Sequence, residues 1–441
     1  MLTQEQAQQL TAKALKFSSF PDCTAGLSED EVSYVRFANN GVTTSAFTVD
    51  RNISISSTRD GKTGVSSTTD LSDEALQAAV KQSEELAEIA PSNPEYMEPL
   101  GPQEYADYEN WDEATARART PLMAPHVKSI IDAAVAKKLI AAGYFERTAS
   151  VSTFANKKGA IGYQRGTDSR LATTVRNAAG TSSGWAGKPS VRIGAIDGAE
   201  LASRAIEKCL RWSGTPVRLQ PGKYTVVLEP TAVSDMLGSL GFHFSARAAE
   251  QGQSFLSRKG GGTLQGEKLF PEIITLRSDP FDRRYRTSLW SNGGLPNTPM
   301  TWIDKGVVKN VVYDRYWASK TGKAPTPSSS NLILDRGDSS LGDLIKATKR
   351  GLLVTRFWYI RSVNPQTVQL TGLTRDGLFL IEDGEITKPV VNLRFTESAV
   401  RLLQNTSMLT GNQRSRGAES GIIAPAIQAH DFAFTSISDA V

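Results

Sequence analysis

The sequence predicts an α+β protein: an N-terminal α/β region of antiparallel strands and packed helices, followed by a β-rich, barrel-like C-terminal domain. Three observations carry this prediction. Apolar residues recur with a period of two between residues 32 and 65, with hairpin turn residues between the runs. Stretches with acidic starts and helical spacing alternate with these strands. After Pro221 the chain turns to short strands separated by turns. No period of about 20–50 residues repeats, which excludes a solenoid or propeller. The 441 residues, 39% hydrophobic and 22% charged, suit a folded globular chain too long for one core. Three units are predicted, at 1–98, 99–215 and 216–441.

In chain order, Thr3 and Gln6 form a capping box that opens a helix to about Lys16. Val35 and Phe37, Phe47 and Val49, and Ile53 and Ile55 are period-two pairs, and Asn39-Asn40-Gly41 and Asp60-Gly61 are the turns. Ser72, followed by Asp73 and Glu74, caps a second helix that stops before Pro91. Residues 90–110 read as a surface linker rich in Pro and acids. A helix over about 112–138 is expected to break near Pro121 and Pro125. Strands follow to about Arg192, with turns at Asn156 and Gly159 and at Arg165-Gly166-Thr167-Asp168. Leu201, Ala205 and Cys209 share a helical face, so a helix over 197–212 buries Cys209. Beyond Pro221 come a strand over 223–229 and a helix over 230–252. Strands are then predicted at 301–303, 307–313, 332–334, 352–360 and 378–382, with a Pro/Ser/Thr loop at 320–330.

Composition narrows the chemistry. The net charge of +4, from 50 basic and 46 acidic side chains, is too mild to imply nucleic acid. Residues 1–6 show no positively charged or apolar leader, and no apolar run approaches the ~18–20 residues that span a bilayer. Cys23 and Cys209 are predicted to be buried thiols in a reducing cytoplasm. The three histidines, His126, His243 and His430, leave little imidazole for metal binding or general-base work.

Four local motifs invite a function. Gly180-Thr181-Ser182-Ser183-Gly184 matches a nucleophile elbow, but Trp185 to Pro189 cannot start the helix that this motif needs. Gly260-Gly261-Gly262 has no preceding strand and no phosphate-loop lysine pattern, so a solvated loop accounts for it. Asp282-Arg283-Arg284-Tyr285-Arg286 reads as a surface turn with local ion pairs. In the 230–252 helix, Met236, Leu237, Leu240 and Phe244 form an apolar face. Gly238 and Gly241 within it mean either close packing or the approach of a ligand. His243, Arg247 and Glu250 are spaced to share a face and could bond one another.

Ordered blocks along the chain resemble the TldD/PmbA family, once called modulators of DNA gyrase and now viewed as peptidases. They are Arg36-Phe37-Ala38-Asn39-Asn40-Gly41, the segment 60–68, Ala155-Asn156-Lys157-Lys158-Gly159, the segment 307–316, Ser362-Val363-Asn364-Pro365, and 377–384. Catalytic members are similar to zinc peptidases with H-E-x-x-x-H on this helix and a cysteine near the C-terminus. The chemistry needs two imidazoles to hold Zn²⁺ and a carboxylate to take a proton from bound water. Laid on this chain, the first histidine falls on Gly238, the glutamate on Ser239, the last histidine on His243 and the cysteine near Met408. One ligand of three and no general base remain, and thioether sulfur is a poor replacement for thiolate. The departure resembles the metal-less PmbA (TldE) branch.

The resemblance implies a non-catalytic subunit of a peptidase system acting on unfolded peptides or modified-peptide precursors. Its partner would be a zinc-bearing TldD-type paralogue or a second copy of itself. No catalytic residue, metal or cofactor is expected in this chain, zinc being expected only in a catalytic paralogue. Peptide backbone would be bound by strand addition, with Arg247, Glu250 and Asn364 as candidate polar residues of the groove. The alternatives are a homodimeric peptide- or protein-binding module without peptidase activity, and an autonomous hydrolase using Ser182 or a rebuilt site. No membrane is expected, and the location expected is cytoplasmic.

Overall fold

The computed structural model describes residues 1–238, 240–291, 293–328, 330–414 and 421–438. Helix α1 (Gln4–Phe17) begins at the Thr3–Gln6 capping box, both bonds of which are made. A meander follows: β1 (Asp22–Ala38), β2 (Gly41–Arg59) and β3 (Lys62–Thr68). Its turns fall at Asn39-Asn40 and Asp60-Gly61, all four residues having positive φ, as type I′ turns require. β1 starts ten residues before the predicted strand. There the buried side are Cys23, Ala25 and Leu27, two of them small, so alternation in the sequence is weak. Helix α2 (Asp73–Ile89) is capped by Ser72. The break expected near Pro121 and Pro125 is seen only at the first: α3 (Glu113–Arg117) stops, α4 (Thr120–Ala136) restarts with Pro121 in its first turn, and Pro125 lies within α4 without ending it.

Strands β4 (Leu139–Asn156), β5 (Ile161–Asn177) and β6 (Ser183–Ser190) then precede helix α5 (Gly198–Arg211). One antiparallel sheet in the order β3-β2-β1-β4-β5-β6 takes strands from both sides of residue 98. It is built from one arrangement used twice, a helix, three strands and a helix, joined where β1 meets β4. The turn predicted at 165–168 does not exist. These residues lie inside β5, with Gly166 opposite Ser150. A Cβ on Gly166 would stand 2.2 Å from Cδ of Arg286, so a contact 120 residues away, not a turn, demands this glycine.

The C-terminal lobe is a closed five-stranded barrel. Going round it, β14 (Arg350–Asn364) pairs β7 (Gly222–Leu228), then β21 (Ile427–Ile437), β17 (Leu393–Ser398), β15 (Gln369–Glu382), and β14 again. β16 (Glu385–Pro389) and β18 (Thr406–Leu409) attach to β15 and β21. A second sheet has β12 (Val307–Val308), β11 (Met300–Asp304), β8 (Leu276–Ser278), β13 (Asn331–Leu334), β20 (Gly421–Ala424) and β19 (Gln413–Arg414) in that order. β9 (Trp290–Ser291) and β10 (Leu295–Pro296) form a separate ribbon. The strand predicted over 307–313 ends at Val308, and Val312 instead bridges Ser245.

Short helices fill the gaps: α6 (Pro230–Leu237), α7 (Ala246–Glu250), α8 (Arg315–Thr321), α9 (Leu341–Lys346) and α10 (Ala399–Gln404). The main apolar core lies between barrel, second sheet and α6, and includes Val226, Leu228, Met236, Leu237, Leu352 and Val354. The intervening residues Val227, Leu353, Phe379 and Ile381 point the other way, into a smaller cluster with Trp212 and Leu344. This alternation sorts the candidate site residues. Among the described residues, no helix is long and apolar enough to cross a membrane.

Candidate functional site

The segment expected to be one helix over 230–252 is three pieces. α6 ends at Gly238, a 3₁₀ turn covers Leu240–Phe244, and Ser245 restarts the chain as α7 by capping the amide of Ala248. Ser239 lies outside the described residues. Glycine at 238 and 241 weakens helix propagation, and the Ser245 cap offers a competing start. The predicted apolar face is real: Met236, Leu237, Leu240 and Phe244 are fully buried. A Cβ on Gly241 would meet nothing within 4 Å, so close packing does not require that glycine.

The outer half of β14 runs beside this segment. The Phe357 amide donates to Asp235 Oδ2 at 2.9 Å, and Gln366 Nε2 donates to the Gly252 carbonyl at 2.8 Å. β7 pairs β14 only as far as Val354, and among the described residues no strand replaces it further along. The edge left open carries Trp358, Tyr359 and Val363, which are 45%, 63% and 51% exposed. Tyr359 has φ +54°, at one of the bulges that interrupt the β14–β15 register. Phe242, on the 3₁₀ turn, is 84% exposed.

Charge sits at the base of this edge. Burial pushes the Asp235 carboxyl up to about 7, against the opposing pull of the Phe357 amide and the nearby Arg356. Arg356 forms an ion pair with the buried Asp376 at 2.9 Å and lies over the rings of Trp185 and Trp358. It thereby links the open edge to the N-terminal sheet. None of Asp235, Arg356, Asp376, Trp358 or Tyr359 was singled out from the sequence. The readable signal was Phe357-Trp358-Tyr359-Ile360, an unbroken apolar run in a strand that elsewhere lines a core.

The predicted residues are only partly brought together. Gly238 and His243 lie at the two ends of the break. His243 is half-buried, burial lowers its pKa, and its ring has no hydrogen-bond partner among the described residues. Met408 packs with the Trp212 and Leu344 cluster, on the barrel face away from Met236, Leu237 and Phe244. The structure therefore does not bring it to His243. Arg247 and Glu250 do not bond each other. Arg247 is clamped by Glu95 at 2.7 and 2.8 Å, tying this lobe to the 90–110 linker. Glu250 accepts from Trp317 Nε1 at 2.8 Å and Tyr313 Oη at 3.3 Å. Asn364 accepts the Gln366 amide within the β14–β15 turn.

Zinc does not fit the residues present. Gly238 offers no donor. His126 accepts from the Gly198 amide, and His430 lies against Thr225, each on other elements. Among the described residues, no three His, Cys, Asp or Glu side chains form a group that could hold a metal ion. Nor is Ser182 poised as a nucleophile: it is buried, 3.4 Å from Cys209 Sγ, and a strand rather than a helix follows it. The second glycine of that motif, Gly184, lets α5 approach, since a Cβ there would stand 2.1 Å from the Ala205 carbonyl. The glycines at 260–262 all have positive φ and form a turn pinned by Arg258 to Glu267. Arg284 pairs with Asp282 as a local ion pair, but Arg286 packs against Gly166 and Tyr285 against Gly421, so the segment is a packed junction rather than the surface turn expected.

A two-lobed α+β fold, with a closed barrel and a metal-motif position that keeps one donor, His243, describes the molecule by class. Models of the PmbA/TldA metallopeptidase match it at two places, the C-terminal domain at residues 221–436 and domain 1 at 23–87. The chain belongs to this TldD/PmbA family. Among curated relatives, a metalloprotease of Methanothermobacter thermautotrophicus is 25% identical over 47% of this chain and 46% of its own length. A metalloprotease TldD homolog of Haemophilus influenzae is 26% identical over 33% of this chain and 32% of its own. The matched part thus spans less than half the length of either. TldE from Thermococcus kodakarensis has the same fold, with a TM-score of 0.85 at 19% identity over 97% of this chain and 99% of that one. So does a candidate modulator of DNA gyrase from Bacteroides thetaiotaomicron, at 0.84, 22% identity, 99% and 100%.

Proposed function

We propose that this chain is the non-catalytic, TldE-like subunit of a TldD/PmbA-type peptidase system in the cytoplasm. It binds unfolded peptides or modified-peptide precursors, which a zinc-bearing paralogue cleaves. The observation that supports this best is the open edge of β14, flanked by Trp358, Tyr359 and Val363, beside a motif position where His243 alone remains as a donor. An extended peptide added to that edge would bond through main-chain groups, with aromatic faces supplying sequence-tolerant contact. Arg247 and Glu250, held by Glu95, Trp317 and Tyr313, shape the wall of the groove in this reading rather than contact peptide. Co-expression with a zinc-bearing paralogue should give a complex that cleaves peptides only while the paralogue's glutamate is intact. Failure of the two chains to associate, or cleavage by this chain alone, overturns the proposal. A chain that captures peptide as a homodimer, with no such paralogue, would instead be the binding module.

A further inference from the structure

A cavity of about 500 Å³ opens where the N-terminal sheet meets the barrel lobe, bounded by the end of β6, α5, the start of α6 and residues 283–284 and 412–414. Its volume lies in the ~300–1,000 Å³ range of small-molecule sites. Among the described residues, six basic side chains line it against two acidic ones. The acids are already engaged. Glu200 lies between Lys188 at 3.5 Å and Arg204 at 3.7 Å, and Glu229 holds Lys208 at 2.7 Å. Arg284 is taken by Asp282 at 2.7 Å, and Arg414 by Asp168 at 2.9 Å. Arg192 and Arg283 remain, and neither guanidinium has an ion-pair or hydrogen-bond partner among the described residues. The first turn of α6 also opens here. Its N-cap, Glu229, makes no side-chain cap bond and turns its carboxylate to Lys208, and Pro230 and Thr231 of the first turn line the cavity beside it.

We infer that this cavity binds a small oxyanion, a molecule bearing a phosphate or carboxylate group, between Arg192 and Arg283. Guanidinium forks match both groups in a bidentate manner. The walls carry more positive charge than their own carboxylates neutralise, which costs self-repulsion unless an anion enters. The site does not depend on the peptide groove, so failure of either reading leaves the other standing.

Isothermal titration of the full-length chain at low ionic strength, with inorganic pyrophosphate and with citrate as probes, tests the inference. Saturable binding at one site per chain, weakening as salt rises, is the expected result. Loss of the charge-assisted bonds in Arg192→Gln/Arg283→Gln should weaken binding by about tenfold or more, while Lys259→Gln in the glycine turn should change it less than about twofold. Circular dichroism of each variant, and the two single variants in parallel, separate lost binding from lost folding. Binding of pyrophosphate alone identifies a phosphate site, and of citrate alone a carboxylate site. No saturable binding of either probe, or a double variant that binds like the parent, overturns the inference.

Discussion

The two halves of β14 are one strand with opposite fates. From Arg350 to Val354 it lies between β7 and β15, and Leu352 and Val354 are fully buried. Beyond Val354 it keeps β15 and loses β7, which has turned away into α6. The same apolar composition that closes the barrel in the first half becomes an exposed aromatic edge in the second. What separates structural from functional residues here is where the neighbouring strand ends. Residue type alone does not do so.

The comparison breaks most severely at the joint. Arg356→Ala removes the nearer cation of the buried Asp376, leaving only Arg375 at 3.8 Å, and should cost about 3–5 kcal/mol, read as a lower denaturant midpoint. Leu352→Ala, in the buried half, should cost about 2–5 kcal/mol by the same measurement, through lost burial and a cavity. Trp358→Ala, in the exposed half, should change stability by less than about 1 kcal/mol yet weaken peptide binding about tenfold. Equal destabilisation by the last two substitutions would show that the halves do not differ.

Asp235, which accepts the first free amide of the edge, sharpens the comparison through pH. Its folded pKa of about 7 is raised above the ~4 of an unfolded aspartate, so the native state holds its proton more tightly. Its contribution to stability is therefore complete below about pH 4, is lost as pH rises through 7, and is level above. Asp235→Asn should flatten the stability profile between those values, compared by denaturation at a series of pH. An unchanged slope would refute the assignment. His243→Ala should have the smallest effect, within about 0.5 kcal/mol of the parent and with metal content unaltered by elemental analysis. Stoichiometric zinc in the parent that the substitution removes would restore a metal site to this segment.

Much of the N-terminal fold was legible because its signals are local. The Thr3–Gln6 box, the Ser72 cap and the positive-φ turns at Asn39-Asn40 and Asp60-Gly61 act within a few residues. The candidate site was legible as an absence: Gly238 has no side chain with which to bind metal, whatever surrounds it. The groove was not legible, because it depends on where β7 stops pairing. Met408 was placed by its position in the family pattern, whereas barrel alternation turned its side chain to the far face.

By itself the sequence determined the turns, the caps, the two classes of lobe and the loss of a metal donor at 238 and of the general base at 239. Each follows from the chemistry of a residue and its near neighbours. Tertiary structure alone decided the rest. It closed the barrel, set Phe357 against Asp235 from 122 residues away, required a glycine at 166 for the sake of Arg286, and left Arg192 and Arg283 facing one cavity. These depend on strand register and on which surfaces meet, and pairing between distant segments carries no local signature.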